Sequence, residues 1–347
     1  MNRKAIALVV VAGVALAGLV SVAFFPAGSI AAVVAVVDAN YLGAALRLTV
    51  PIAFAALGGI FAEKSGVINI GLEGLLIIAA FVGIATTYTV GGGQAAVWIG
   101  FAAAVLASTL FALLFAVVTI EFKADQIIAG LAVWLIALGL GPFTARVIWG
   151  TVNSPSVPTL NDWTVPVLSE IPWVGPVLFD ANPTVYMLLV AVPLSWYALN
   201  RTAFGYRVRA SGENPRALDT AGVNVSLVRY KSVLISGVFS GIGGAGLALG
   251  QVGQFIGSGQ TMVGGRGWIG ITAYLFGNYN PIATFGASFL FAALDALQIR
   301  IQQIPGLDLP GSLVRIVPFV IVIVVLALIG KTRLPSAAGE HYDSDED

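Results

Sequence analysis

Two polar side chains, Asn69 and Glu73, interrupt an early apolar stretch of the chain. A spacing of four residues places them on one face of a helix, where an amide and a carboxylate could hydrogen-bond a neutral solute. An ionisable group inside a membrane helix costs about 2.5–3.5 kcal/mol and normally faces a bundle interior or a wet cavity. Gly71 and Gly74 leave backbone exposed for close approach of a helix or a solute. We therefore predict a solute path or its gate here; the alternative is a structural Glu73 that caps a broken helix or pairs with Lys64.

A second polar stretch is the glycine-rich segment 253–270, in which glutamine, threonine and arginine side chains alternate with glycine. Irregular backbone at membrane depth is tolerated only where protein buries it or where it lines a cavity. We therefore predict a re-entrant element that lines the solute path and includes Gln260 and Arg266.

The third informative stretch, 201–231, carries six Lys and Arg residues between two apolar runs. Asn214 suits a helix N-cap, Pro215 suits the first helical position, and Gly222 suits a left-handed residue after the helix end. These signals predict two helical turns at the membrane surface. Such an element suits docking of a cytosolic partner better than binding of a solute.

The composition indicates that most of the chain lies in a lipid membrane rather than in water. Hydrophobic residues make up 58% and charged residues 10% of the 347 residues, whereas globular domains carry about 25% charged residues. There is no cysteine and one histidine, His341, which argues against thiolate chemistry, histidine catalysis and a metal site. We predict an all-α membrane protein without cofactors, and nothing indicates a nucleic-acid partner.

Apolar runs long enough to cross a bilayer predict a polytopic bundle of about ten transmembrane helices, with broken or re-entrant segments. The runs lie near 5–25, 42–61, 68–89, 94–120, 126–148, 184–200, 232–253, 261–277, 281–300 and 312–330. Glycines interrupt the eighth run, which makes it the weakest. Asp125 is predicted to cap the fifth helix, and small residues along the seventh are predicted to pack against neighbouring helices.

Positive charge predicts the orientation. With ten spans, twelve of the seventeen Lys and Arg residues fall at ends on one side, which the positive-inside rule makes cytoplasmic. Both termini of the multi-pass chain are therefore expected in the cytoplasm. The loop 149–183 lies on the other side, either as a lid packed on the bundle or as a docking surface for a binding protein.

Two further polar features have simple interpretations. Asp295 and Arg300 in a late span suggest a buried ion pair or snorkelling to the interface. Residues 335–347 are expected to form an acidic cytoplasmic tail after a membrane domain of residues 1–334, and 339–347 are expected to be a disordered, solubilising terminus. Two glycine patterns that superficially suggest phosphate loops are incomplete, because Val325 and Met262 stand where glycine is required. Any ATPase activity is therefore expected in another chain.

Three stretches resemble one protein family. The run LGGIFAEKSGVINIGLEG at 57–74 resembles the signature of permease subunits of ABC importers for nucleosides and simple sugars. Residues 209–224, RASGENPRALDTAGVN, resemble the cytoplasmic coupling segment of that family, and 264–269 with 275–281 match its later glycine-rich block. The resemblance spans residues 45–330 in order.

This resemblance implies a bundle held in the lipid of the cell membrane, with partners in the membrane and on both sides of it. They are a second permease subunit, often a paralogue, a cytosolic ATP-binding subunit and an extracytoplasmic solute-binding lipoprotein. The residues expected to couple the bundle to the ATPase are Gly205, Arg207, Arg209, Gly212, Glu213, Asn214, Pro215, Asp219 and Gly222. Nucleosides or simple sugars are the expected solutes.

Two alternatives remain at this stage. A branched-chain amino acid permease of the same superfamily is one. A secondary transporter or channel is the other, although such a protein would be expected to show more intramembrane acids than Glu73 and Asp295, and it needs no capped cytosolic helix.

Overall fold

The computed structural model describes residues 37–172, 174–259, 261–302 and 333–342. This part of the chain is mostly helical. Its α-helices are α1 Ala39–Lys64, α2 Leu72–Val90, α3 Gly93–Ala116, α4 Gln126–Trp149, α5 Pro183–Arg201, α6 Ala203–Glu213, α7 Pro215–Thr220, α8 Val225–Leu247, α9 Arg266–Phe276 and α10 Pro281–Ile301. Single π-helical turns, Val117–Glu121 and Ala248–Val252, extend α3 and α8. The loop between α4 and α5 contains two two-residue strands, β1 Trp163–Thr164 and β2 Asp180–Ala181, a 3-10 turn Leu168–Glu170 and a π turn Gly175–Phe179.

Polar caps define where several helices begin. The Asp125 carboxylate accepts from the N–H groups of Ile127 and Ile128, each at 2.9 Å, which confirms the predicted cap of α4. Asn182, Thr202, Asn214 and Asn224 cap α5, α6, α7 and α8 in the same manner. These side-chain caps fix the residues at which the five helices begin.

Seven described helices are long and apolar enough to cross a membrane: α1, α2, α3 with its π turn, α4, α5, α8 with its π turn, and α10. The predicted runs 5–25 and 312–330 lie outside the described residues. The predicted eighth span is wrong as a full crossing, because α9 has only 11 residues and is about 16 Å long, against about 30 Å of hydrocarbon. The glycines of 253–265 leave the chain before it irregular, as predicted.

The charged stretch 201–231 is more helical than predicted. The sequence suggested one helix of 215–221, whereas the structure has α6 and α7 in succession, and α8 begins at Val225 rather than near 232. Charge density obscured α6, although alanine and arginine favour helix. The polar connection between the membrane helices is therefore shorter than the sequence suggested.

Small residues on α8 pack against neighbouring helices, as predicted. A Cβ on Gly241 would lie 2.7 Å from the Val105 Cα of α3, and one on Gly244 would lie 2.4 Å from the Leu76 carbonyl oxygen of α2. Backbones approach this closely only where side chains are absent. This packing places α8 beside the start of α2.

The chain divides into two compact units. In the smaller one, which includes Met1–Thr49 and Phe289–Thr332, the Tyr41 hydroxyl donates to the Ala293 carbonyl at 2.8 Å, and Arg300 lies 3.8 Å from Asp38. The larger unit comprises Val50–Trp163, Asn182–Ser288 and Arg333–Asp347 and contains the polar sites described below.

The first part of the loop after α4 is held on the end of α8. The N–H of Ser154 donates to the Phe255 carbonyl at 2.9 Å, and that of Val157 donates to the Gly253 carbonyl at 2.7 Å. The N–H of Leu160 also donates to the Leu249 carbonyl at 2.8 Å. These bonds satisfy irregular backbone on both sides, in line with a packed lid.

Candidate functional site

Asn69 lies in the turn between α1 and α2, not on a helix. Its side-chain oxygen accepts from the Gly71 N–H at 3.0 Å, and its amide donates to the Ser236 hydroxyl of α8 at 3.1 Å. The side chain is 1% exposed. The sequence-based expectation that Asn69 and Glu73 share a helical face is therefore wrong, because α2 begins only at Leu72.

Glu73 reaches the N-terminus of the short helix α9. Its two carboxylate oxygens accept from the N–H groups of Gly265 at 2.8 Å and Gly267 at 2.6 Å, and the residue is 2% exposed. The first N–H groups of a helix have no partner within the helix and carry its positive dipole end. A carboxylate from another helix thus closes the start of α9.

Glycine is required where α9 meets α2. A Cβ on Gly267 would lie 2.5 Å from the Glu73 backbone nitrogen, and Gly265 adopts a φ of +86° at the N-cap of α9. On the other side of α2, a Cβ on Gly74 would lie 2.8 Å from the Trp134 Cα of α4. A Cβ on Gly71 would lie 3.3 Å from the Gly130 carbonyl oxygen of α4. The predicted close approach is therefore helix against helix.

Arg266 begins α9 beside this contact. Its guanidinium donates to the carbonyls of Val263 at 2.9 Å and Met262 at 3.2 Å. The side chain is half-buried, and its charge acts on the Glu73 carboxylate. Gln260, the other predicted member of this segment, lies outside the described residues.

Sequence reasoning missed a buried acid near this site, Glu63 at the end of α1. The hydroxyls of Tyr274 and Tyr279 both donate to its carboxylate, the latter at 2.6 Å, and the residue is 6% exposed. Lys64 is not placed against Glu73; its ammonium lies 5.8 Å from the centre of the Tyr279 ring. Burial raises the pKa of the Tyr279 phenol, so it remains a donor at physiological pH. The sequence offered one signal for this contact, namely that Glu63 is an acidic residue at the end of a predicted membrane helix.

The caps predicted for α7 are present. The Asn214 side-chain oxygen accepts from the Ala217 N–H at 3.0 Å, and Pro215 is the first helical residue. Gly222 has a φ of +77° and donates its N–H to the Asp219 carbonyl at 2.7 Å. Helix α7 is therefore a short element whose two ends are set by residues of its own sequence, and its outer face is exposed.

The glycines of α6 allow it to pack closely. A Cβ on Gly205 would lie 2.2 Å from the Ala198 carbonyl oxygen, and one on Gly212 would lie 2.4 Å from the Lys64 carbonyl oxygen. The Ser211 hydroxyl donates to the Ser65 carbonyl at 2.8 Å. The end of α6 is therefore fastened to the turn that leads from α1 to Asn69.

The charged residues of α6 and α7 have different environments. Arg207 is exposed, whereas the guanidinium of Arg209 lies 4.8 Å above the Tyr206 ring. Glu213 accepts from the Ser336 hydroxyl at 2.9 Å, and Asp219 accepts from the Tyr342 hydroxyl at 2.8 Å. Asp219 thus has a partner within the chain, supplied by a segment that the sequence suggested was disordered.

These contacts lie on neighbouring parts of the larger unit. Ser211 of α6 is hydrogen-bonded to the Ser65 carbonyl in the turn after α1, and that turn leads along the chain to Asn69 and then to Glu73 in the first turn of α2. The connection from α7 to the start of α2 therefore consists partly of hydrogen bonds and partly of covalent chain. Within the described residues we find no metal-ligand cluster.

The family model described as branched-chain amino acid transport system / permease component matches residues 41–326. No solved structure matches the chain.

Several curated relatives match most of the chain. A nucleoside ABC transporter permease protein of Lactococcus lactis subsp. cremoris is 38% identical over 86% of this chain and 94% of its own length. A guanosine ABC transporter permease protein of Bacillus subtilis is 37% identical over 86% and 95%. A putative glucose ABC transporter permease protein of Haloferax volcanii is 33% identical over 79% and 83%. The same Bacillus strain has a second guanosine permease protein, 25% identical over 82% of this chain and 80% of its own length.

Proposed function

The chain belongs to the permease family of the branched-chain amino acid transport system type, and from that premise we propose that it is the membrane subunit of an ABC importer for nucleosides. The observation that carries the proposal is the 38% identity to a nucleoside permease protein over nearly the full length of both chains. The multi-pass apolar helices agree with a plasma-membrane location.

Glucose or a related simple sugar is the second candidate solute. It is favoured by the 33% identity to a putative glucose permease protein. Both solute classes are neutral and rich in hydroxyl groups, so polar side chains that bind them in passage need hydrogen-bonding groups rather than a matching charge.

We place the solute path at the Asn69, Glu73 and α9 contact. In the conformation described here, Asn69 and Glu73 are 1% and 2% exposed, so a solute can reach them only after α9 moves away from α2. Such a movement would free the carboxylate and the backbone N–H groups of Gly265 and Gly267 together. These groups would offer acceptors and donors to ribose or sugar hydroxyls.

The energy source lies in a partner chain. The relatives carry names of ABC transporter permease proteins, which are transport components that work with ATP-binding subunits. We assign the exposed face of α7 to docking of that ATPase. A second permease subunit completes the bundle, and the paired guanosine permeases of the Bacillus strain support a paralogue in that role. An external binding protein delivers the solute.

Uptake of radiolabelled guanosine by the complex reconstituted with its ATPase and binding protein tests the proposal. We expect ATP-dependent uptake that unlabelled adenosine inhibits and that equal concentrations of glucose or leucine leave unchanged. Inhibition of labelled glucose uptake by sugars, without guanosine uptake, would instead establish the second candidate. Leucine uptake alone would make the chain an amino acid permease.

A further inference from the structure

The segment 333–342, which we call the strap, packs against α6, α7 and the turn after α1. The sequence suggested that residues 339–347 are a disordered, solubilising terminus, and this is wrong for 339–342. Ala337 is 4% exposed, and the Arg333 N–H donates to the Asn278 side chain at 3.0 Å. A segment with buried residues and specific partners is part of the fold.

Backbone hydrogen bonds anchor the middle of the strap. The Ala337 N–H donates to the Gly212 carbonyl at 2.8 Å, and the Gly339 N–H donates to the Gly66 carbonyl at 3.0 Å. Gly66 has a φ of +97°, and a Cβ there would lie 3.3 Å from the Ala337 carbonyl oxygen. The strap therefore contacts both the end of α6 and the turn that precedes Asn69.

A buried arginine of α8 holds the next residues. Arg229 is 4% exposed and donates to the Glu340 carbonyl at 2.8 Å. Within the described residues, its Nε and Nη2 atoms have no hydrogen-bond partner. The bond from Arg229 to Glu340 is therefore one of the contacts that would be lost if the strap detached.

Two side-chain hydrogen bonds then connect the strap to the candidate coupling helices. The Ser336 hydroxyl donates to Glu213 at 2.9 Å, and the Tyr342 hydroxyl donates to Asp219 of α7 at 2.8 Å. Asp219 is half-buried, whereas Arg216, Ala217 and Thr220 on the same helix are exposed. The exposed residues, rather than Asp219, form the face of α7 that a partner can touch.

We propose that the strap is a positioning element that ties α7 to the turn between α1 and α2, with Asp219 and Tyr342 as its outer contact. This inference rests on the proposed function, because α7 must receive the ATPase for its position to matter. The strap would keep α7, the Gly66 turn and Arg229 moving as one body, so that displacement of α7 reaches the Asn69–Glu73 region instead of being lost in a flexible connection.

The test uses the full chain and begins with Tyr342→Phe, which removes only the hydroxyl. Hydrogen exchange of the α7 amides in the purified chain should accelerate about tenfold, which corresponds to the loss of one hydrogen bond to a charged group. Tyr197→Phe is the matched control, because Tyr197 is 55% exposed; it should leave α7 exchange unchanged. Asp219→Asn, which keeps an acceptor oxygen, should behave almost as the wild type does.

The second measurement is guanosine imported per ATP hydrolysed by the complex. The proposal expects this ratio to fall by about the same factor in Tyr342→Phe, with normal complex assembly and no further fall when Asp219→Ala is added. Unchanged α7 exchange overturns the strap contact, and faster exchange with an unchanged ratio overturns its positioning role. Absence of guanosine uptake by the wild-type complex is a different failure, which overturns the proposed function itself.

Discussion

At the scale of single residues, the buried polar side chains near Glu73 have hydrogen-bond partners within the protein. Glu73 caps α9, Asn69 joins a turn to Ser236, and Glu63 accepts from two tyrosines. In a region with little water, each buried acceptor needs such a donor. On the proposed solute path, contact of a solute with Asn69 and Glu73 would therefore compete with hydrogen bonds inside the protein.

Glu73→Gln is expected to reduce stability, because glutamine cannot accept both of the hydrogen bonds that the Glu73 carboxylate accepts. Both carboxylate oxygens accept from backbone N–H groups, and the glutamine NH₂ would face one of these donors. An unsatisfied buried group costs about 1–3 kcal/mol. The thermal midpoint of the detergent-purified protein, followed by fluorescence size-exclusion chromatography, should fall relative to the wild type.

Lys64→Gln provides the control for that variant. If Glu73 were held by a pair with Lys64, the double variant Glu73→Gln, Lys64→Gln would recover the lost midpoint. Because Lys64 lies over the Tyr279 ring, we expect no recovery. Recovery to the wild-type midpoint would show that the contact between Glu73 and α9 is not the important one.

At the scale of elements, the short helices α7 and α9 are the ones whose ends can move most easily. The membrane helix α8 packs through small residues along its length. By contrast, α7 and α9 have only 6 and 11 residues. The N-terminus of α9 is held by Glu73, and the C-terminal end of α7 turns at Gly222. Movement at these ends requires few contacts to be broken.

Gly222→Val is expected to uncouple transport. A β-branched residue in a left-handed conformation costs about 1–2 kcal/mol, which favours unwinding of the α7 end. Membrane insertion should be normal, while guanosine import per ATP falls several-fold in the reconstituted complex. Gly222→Asn is the control, because asparagine tolerates this conformation, and it should retain most of the coupling. Equal import by the two variants would mean that the left-handed turn has no role in coupling.

At the scale of the whole molecule, the chain is a transport subunit that depends on partners. Its family membership and its apolar helices account for the bundle. In the proposed complex, the exposed face of α7 is the surface on which the ATPase docks. Gly257, Ser258 and Gly259 lie in irregular chain, and the next helix, α9, begins only at Arg266. A phosphate-binding glycine loop leads directly into a helix, so this stretch does not form one.

The purified chain by itself is expected to hydrolyse no ATP. A coupled-enzyme assay on detergent-solubilised protein should give the rate of a blank without protein, and addition of the partner ATPase should produce hydrolysis that guanosine-loaded binding protein stimulates. Hydrolysis by the isolated chain, retained after further purification, would contradict the assignment as a subunit.

The orientation of the molecule is also testable, because the chain contains no cysteine. We expect the strap in the cytoplasm and the loop after α4 outside, as the positive-inside rule predicts. His341→Cys and Asp162→Cys place single thiols at exposed positions. A membrane-impermeant maleimide should label Asp162→Cys in right-side-out vesicles and His341→Cys only in inverted vesicles. Labelling of both thiols from one side would refute this topology.

Local signals explain how much the sequence determined by itself. The membrane class, the starts of α4 and α7, and the left-handed turn at Gly222 depend on composition or on residues within about four positions of each other. The resemblance carried by 57–74 and 209–224 identified the permease family in the same local way, and the family match confirms it.

Tertiary structure decided which groups the buried polar residues contact. Glu73 meets backbone donors 192 and 194 residues away, and Tyr342 meets Asp219 at a separation of 123. A carboxylate in an apolar stretch must find a donor, but the identity of that donor depends on which helix ends pack beside it. The length of α9 and the packing of the strap depend equally on distant backbone, so only the folded chain determines them.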